Sequence, residues 1–226
     1  AAVEEGRTIF NRLRNVVTLL LSTNIGELLA LLLCLATMGQ VPLLAVQIIW
    51  VNLVTDTAMA IPLGLEPKAG DELRKPPRHP KVGLLFPGLL MRIGFLALMM
   101  AVGVFLVFRW AQASLSLEEA RTFAFCTVVT FEWFKAFLVR SDEHTVAKLG
   151  VFRNRWLVLA ISGAIILQLA VVYAPPLQLA FHTVPLGIGQ WGIILIGPVF
   201  LFAIEECRKA FFPSLFSFGK WKPLGS

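Results

Sequence analysis

The side chains of this sequence that could do chemistry are polar groups set inside apolar runs. Asn52, Thr55 and Asp56 stand at offsets of zero, three and four, a spacing that puts them on one face of a helix. Upstream, Asn24 and Glu27 are three apart and share a face of their own run. Together these residues offer two carboxylates, two amide oxygens and a hydroxyl. That is a hard-oxygen set suited to a dehydrated cation such as calcium, which takes about 6–8 oxygens. A charge at the centre of a membrane helix costs about 2.5–3.5 kcal/mol on insertion scales, so such groups persist where they face a cavity or each other. A lone Asn would fit simple hydrogen-bonded packing between helices. Five groups on two adjacent helices, two of them acids, fit an ion site better.

Glu132 and Lys135 are also three apart, and two readings stay open for them. They form a self-neutralising pair near the end of a span, with the lysine stem snorkelling outward, or Glu132 joins the ion site. Pro62 and Gly64, just past Asp56, read as a kink or helix end, although proline also frees a carbonyl that a cation beside a cavity could use. Cys34, Cys126 and Cys207 are far apart with no metal-ligand spacing and read as small core residues. His79, His144 and His182 have no partner at ligand spacing and are assigned no metal.

The elements that must position these groups are membrane helices. The 226 residues are 57% hydrophobic and 15% charged, with mean hydropathy +0.77, too little charge to cover a soluble surface. A span needs roughly 20 largely apolar residues, and six stretches qualify: 16–38, 43–65, 88–110, 120–139, 155–173 and 190–207. The predicted fold is all-α, a polytopic transmembrane bundle of six helices. The first helix begins in a charged stretch, 4–14, and its opening turns are expected to stand outside the membrane as a stalk. Loops are expected at 39–42, 66–87, 140–154 and 174–189, and there is no internal repeat. Trp50, Trp110, Trp156 and Trp191 fall near helix ends, as an aromatic belt requires.

A net charge of +6 could suggest nucleic acid, but the distribution of the charge explains it otherwise. Six spans put both termini on one side. That side holds Arg7, Arg12 and Arg14 of the stalk and five basic residues of 66–87. It also holds Arg140, Lys148, Arg153 and Arg155, and then Arg208, Lys209, Lys220 and Lys222 of the tail. The opposite side has only Arg109 and Arg121. The positive-inside rule therefore places both termini and the long links in the cytoplasm, and no nucleic-acid partner is expected.

Several motifs together resemble one family. Ala-Ala-Val-Glu-Glu-Gly-Arg at 1–7 is similar to the start of the fifth membrane helix of calcium-type P-type ATPases, and Ser-Thr-Asn-Ile-Gly-Glu at 22–27 to the ion-binding segment of that helix. Trp-Val-Asn-Leu-Val-Thr-Asp at 50–56 resembles the signature of the sixth helix. Gly-Leu-Glu-Pro at 64–67 and Pro-Pro-Arg-His-Pro-Lys at 76–81 resemble the link that follows. The match is specific over 1–85 and general beyond. The resemblance implies the last six of ten membrane helices, with Asn24, Glu27, Asn52, Thr55 and Asp56 binding the transported ion and Glu132 completing one of two sites. It also implies that 66–87 couples the ATPase domains to the ion sites. On this reading 1–65 is the ion-site helix pair, 66–87 the cytoplasmic link, 88–211 a four-helix support and 212–226 a cytoplasmic tail.

Two departures bear on this. Met59 stands where the family often has proline, and Pro62 comes three residues later, so unwinding of the helix is expected to shift towards it. Lys135 also places an ammonium one turn from Glu132 that could replace an ion, which favours one cation per cycle.

The phosphorylated Asp-Lys-Thr-Gly-Thr string that P-type pumps share does not occur, nor does a Walker loop. No catalytic residue is expected in this chain. Residue 1 reads as a cut inside a longer protein, so ATP and magnesium would act only through other domains of the same pump. The expected partners are the lipid bilayer, the transported cation, the preceding membrane helices and the cytoplasmic ATPase domains. The expected location is a bacterial or archaeal plasma membrane. The rival reading is a free-standing, non-enzymatic membrane module that binds cations or assembles with a partner half. A secondary transporter would often show internal repeats, and none is evident. Calcium suits the oxygen set best, with manganese, sodium or the proton as alternatives.

The topology has a direct test. In a cysteine-free background, Gly70→Cys should react only with membrane-permeant thiol reagents in intact cells. Reaction with an impermeant reagent would place 66–87 outside.

Overall fold

The computed structural model describes residues 2–68 and 83–216. The stretch 76–81, His79, Gly70 and the tail beyond 216 lie outside the described residues. The long helices are α1 (Ala2–Met38), α2 (Ala45–Gly64), α3 (Pro87–Ser114), α4 (Leu117–Leu138), α6 (Arg155–Tyr173) and α8 (Ile188–Phe211). Two short ones, α5 (Val146–Leu149) and α7 (Pro175–Phe181), lie in the connections. There is no strand among the described residues.

Local chemistry sets the helix ends. Gly39 adopts φ +63°, and its N–H closes on Leu35 O at 3.0 Å, ending α1 in the left-handed conformation glycine takes without a Cβ penalty. Pro87 and Pro175 open α3 and α7 at the first turn, where a missing N–H costs nothing. Ser116 and Glu119 form a reciprocal capping box at the start of α4. Asn154 caps α6, its Oδ1 accepting from Leu157 N at 3.0 Å.

The six-helix expectation holds, with corrected boundaries. The stalk and the first span are one unbroken helix. α3 and α8 run past their expected ends at 110 and 207 to Ser114 and Phe211. The connection expected as loop at 174–189 contains α7, and that at 140–154 contains α5 and a 3₁₀ turn, Val151–Arg153. A reading based on apolar runs stops at the first polar residues, whereas backbone hydrogen bonding continues until a cap intervenes.

Five helices, α1, α2, α3, α6 and α8, are long and apolar enough to cross a membrane. Their outward side chains, such as Leu53, Ile61, Leu98, Leu159 and Ile196, are apolar too, as lipid-facing surfaces are. α4 is the exception. It carries Glu118, Glu119, Arg121, Glu132 and Lys135 and is the central helix, packed against α1, α2, α3, α6 and α8. A helix buried all round can hold polar groups only if its neighbours answer them. Two glycines let the neighbours close in on it. A Cβ at Gly103 of α3 would stand 2.6 Å from Phe131 Cζ, and one at Gly197 of α8 would stand 2.9 Å from the same atom, so the aromatic ring sits on bare backbone.

At the end of the bundle shared by the N-terminal half of α1 and the C-terminus of α8, charged groups join the helices. Arg92, fully buried in α3, lies 2.9 Å from Glu205 of α8 and also pairs with Asp142. Arg14 of α1 reaches Asp142 at 2.8 Å, and Arg208 closes on Glu205 at 2.7 Å. Lys209 donates to Leu138 O at 2.9 Å, tying α8 to the end of α4. A second knot forms where α2 ends. Glu66 accepts from Arg140 Nε at 2.9 Å and from Asn154 at 2.7 Å, while Glu66 O accepts from Arg12 of α1 at 2.8 Å.

Breaking a buried ion pair on one side leaves an uncompensated charge and costs about 3–5 kcal/mol. Arg92→Leu should therefore lower the thermal stability of the full-length protein in detergent by an amount of that order. An unchanged unfolding temperature would mean that the cluster carries no stability.

Candidate cation site

α2 is interrupted at the residues that matter. Val51–Thr55 forms a π-helical turn, closed by Asp56 N–H bonding back to Val51 O. Two side chains in this turn bond to backbone four residues earlier: Asn52 Nδ2 to Ile48 O at 3.0 Å and Thr55 Oγ1 to Val51 O at 2.8 Å. Such turns are rare and gather at functional positions because they re-aim side chains. The irregularity expected near Pro62 therefore lies upstream of Asp56. α2 continues through Pro62 to Gly64, and Met59 is fully buried core. Pro62 O is used structurally, accepting from Asn154 Nδ2 at 2.9 Å.

From this turn, side chains reach two neighbouring helices. Asn52 Nδ2 donates to Glu27 Oε2 of α1 at 3.1 Å. The Thr55 hydroxyl meets Glu132 Oε2 of α4. Asp56 is buried beside them, 3% exposed. Glu27, Asp56 and Glu132 thus come from three helices, and Glu132 is repelled by both of the other acids. Each of the three keeps one enclosed oxygen with no hydrogen-bond partner: Glu27 Oε1, Asp56 Oδ1 and Glu132 Oε1. An unsatisfied buried acceptor costs about 1–3 kcal/mol, and more when it is charged.

The set is open rather than a closed cage. Among the described residues, no three His, Cys, Asp or Glu side chains are gathered into a ready metal cluster. Asn24 is set apart from the acids, exposed on α1, with its Nδ2 donating to Leu20 O at 2.9 Å. Lys135 does not snorkel. It is fully buried, and its Nζ donates to Thr23 Oγ1 of α1 at 2.7 Å and touches Met100 Sδ of α3 at 3.1 Å.

Sequence reasoning gave no role to Arg92, Glu66, Thr23 or Gln168, which accepts from Trp50 Nε1 at 3.1 Å. Arg92 carried a usable signal, a lone charge well inside an apolar run. Glu66 did not, because it opens a polar link and looks like a solvated residue. Cys34 and Cys126 are buried free thiols, as expected of core residues, while Cys207 is a free thiol on an exposed face.

Residues 40–211 match the family model described as "Cation transporting ATPase, C-terminus". The chain is 37% identical to the probable cation-transporting ATPase F of Mycobacterium tuberculosis over 192 residues, 84% of this chain and 21% of that protein. It is 37% identical to a calcium-transporting ATPase of Bacillus subtilis over 210 residues, 90% of this chain and 23% of that protein. With the human calcium-transporting ATPase type 2C member 1 the identity is 38% over 192 residues, 83% of this chain and 21% of that protein. The chain thus spans about a fifth of the length of these relatives.

Three enclosed carboxylate oxygens without hydrogen-bond partners should work against folding. Asp56→Asn removes one charge at nearly constant shape, so in chelator-treated buffer it should stabilise the full-length protein by about 1–3 kcal/mol. Thermal unfolding in detergent measures this. Destabilisation would show that Asp56 is a structural anchor, as Arg92 is.

Proposed function

This chain belongs to the family of cation-transporting ATPase C-terminal regions, and from that premise we propose that it supplies the ion-site half of the membrane domain of an ATP-driven cation pump, with calcium as the transported ion. The observation that carries the reading is the trio of enclosed, partnerless carboxylate oxygens on Glu27, Asp56 and Glu132. Buried acceptors of this kind lack a hydrogen-bond partner, and a dehydrated cation is the partner their chemistry selects.

Asp56 is the central ligand. It is buried directly after the π-turn and has no basic residue in its own helix. Glu27 and Glu132 flank it, and the Thr55 hydroxyl and the Asn52 amide oxygen add neutral donors. Asn24 joins from the outer face of α1 where the preceding membrane helices of the pump pack. Six oxygen-bearing side chains suit calcium, and manganese by its softness, ahead of sodium or the proton. Because carboxylates bind metal in ionised form, protons leave the site as the cation enters. The π-turn provides a backbone already departed from regular helix, able to re-aim Asn52, Thr55 and Asp56 between bound and released arrangements.

ATP hydrolysis and its magnesium belong to other domains of the same protein, coupled to the site through 66–87. The division proposed is 1–65 as ion-site pair, 66–87 as link, 88–211 as support and 212–226 as tail. Both termini are cytoplasmic, in the plasma membrane of a bacterium or archaeon, with the lipid bilayer around the outward apolar faces.

The test is Asp56→Asn in the full-length pump, read as calcium-dependent phosphorylation from ATP. Loss of a charged central ligand should raise the calcium requirement by at least about a hundredfold. An unchanged calcium dependence would overturn the assignment.

A further inference from the structure

None of the candidate ligands lies on α6, yet α6 holds α2 on both sides of the π-turn. Before the turn, the Trp50 indole N–H donates to Gln168 Oε1 at 3.1 Å, and Trp50 is the residue from which the turn departs. After it, Asn154 at the head of α6 donates from Nδ2 to Pro62 O at 2.9 Å and to Glu66 Oε2 at 2.7 Å. Between these two points the side chains of the turn reach other helices, Asn52 to Glu27 of α1 and Thr55 to Glu132 of α4. Gln168 is fully enclosed in a largely apolar helix, where an amide is costly unless its polar atoms are answered. Its Nε2 lies 3.5 Å from Cys126 Sγ of α4, a weak acceptor, so one carboxamide joins α2, α4 and α6. Trp50 is steadied further by the Phe181 ring, set edge-on with centroids 5.0 Å apart.

We propose that Gln168 is a positioning residue of the cation site: with Asn154 it makes α6 a splint that locks the π-turn of α2, and so keeps Asn52 and Thr55 directed at the acids of α1 and α4 and Asp56 buried beside them. The proposal rests on the ion-site reading above. Helix geometry carries it. The bonds of a π-turn close over one residue more than those of an α-helix. Reversion to regular α-helix must therefore advance everything on one side of the turn by one residue, about 100° and 1.5 Å. If Trp50 stays, Pro62 and Glu66 must screw round; if Pro62 stays, Trp50 must. α6 opposes both movements, because Asn154 and Gln168 lie at the two ends of one rigid stretch about 21 Å long. A sparsely populated backbone conformation persists where its surroundings over-determine it. Cutting the Trp50–Gln168 bond frees one end of α2 and lets the turn anneal. Binding must then also restore the turn, which lowers affinity for the cation without removing any ligand.

The experiment uses the full-length pump in detergent and reads phosphorylation from ATP against free calcium. Gln168→Met keeps the volume and removes the carbonyl acceptor. Trp50→Phe keeps a ring against Phe181 and removes the donor. Each should raise the calcium concentration for half-maximal phosphorylation about fivefold, the equivalent of one hydrogen bond, and leave the level reached at saturating calcium as in wild type. The double variant should match either single one, because both cut the same bond. Unchanged calcium dependence in whichever single variant folds would overturn the proposal. So would a fall in the saturating level alone, the mark of a merely structural loss, and so would shifts that multiply in the double variant. Asp56→Asn separates the two ways of failing. If it raises the calcium requirement while Gln168→Met does not, the splint fails and the site stands. If it leaves the calcium dependence unchanged, the site itself is wrong and the splint falls with it.

Discussion

An ionised group inside an apolar medium must be answered by opposite charge or by hydrogen bonds, and the two halves of this bundle meet that demand differently. At one end three of the described acids each have a base. Glu205 is held by Arg92 and Arg208, Asp142 by Arg92 and Arg14, and Glu66 by Arg140 and Asn154. Farther in, Glu27, Asp56 and Glu132 each keep an oxygen unanswered. The first arrangement is a joint. The second is a set of enclosed acceptors without hydrogen-bond partners.

α4 links the two. It is the least membrane-like of the six long helices by composition and the most enclosed in space. Its buried face carries Phe131 against two bare glycine backbones, and the next residue is Glu132. A tightly fitted ring beside an acid fixes the height of that acid in the bundle. Its C-terminal end is tied by Lys209 and Arg92, which both donate to Leu138 O. Glu132 is therefore positioned from both sides, whereas Asp56 lies on an irregular turn with fewer constraints.

Much of this was legible in the sequence, for a physical reason. Polar residues in apolar runs are costly, so Glu27, Asn52, Thr55 and Asp56 stood out by type and spacing, while Glu132 was open to two readings; the structure pairs Asn52 with Glu27 and Thr55 with Glu132 and buries Asp56. The ends of α6 could be read to the residue, since Arg155 and Tyr173 mark sharp changes of composition. What could not be read depended on pairing across distance. Whether Lys135 snorkels or turns inward is decided by Thr23, 112 positions earlier. Glu66 becomes a hub only because Arg12, Arg140 and Asn154 converge on it from other elements. The π-turn left no compositional trace, and the proline that suggested an irregularity pointed to the wrong turn of the helix.

The unbroken length of α1 makes it a lever. At 1.5 Å per residue, its 37 residues form a rod about 55 Å long. Contacts near one level pin the rod sideways: Arg12 on Glu66 O at 2.8 Å, Arg14 on Asp142 at 2.8 Å and Asn15 on Arg140 O at 2.9 Å. Those contacts act as a fulcrum, with the charged stalk as one arm and Glu27 about 18 Å along the other, twelve residues beyond Asn15. A tilt of about 5° around that fulcrum moves Glu27 by about 1.6 Å at this rise, while atoms at the pivot hardly shift. A slight tilt of the stalk is thus magnified into a displacement of the buried Glu27 carboxylate.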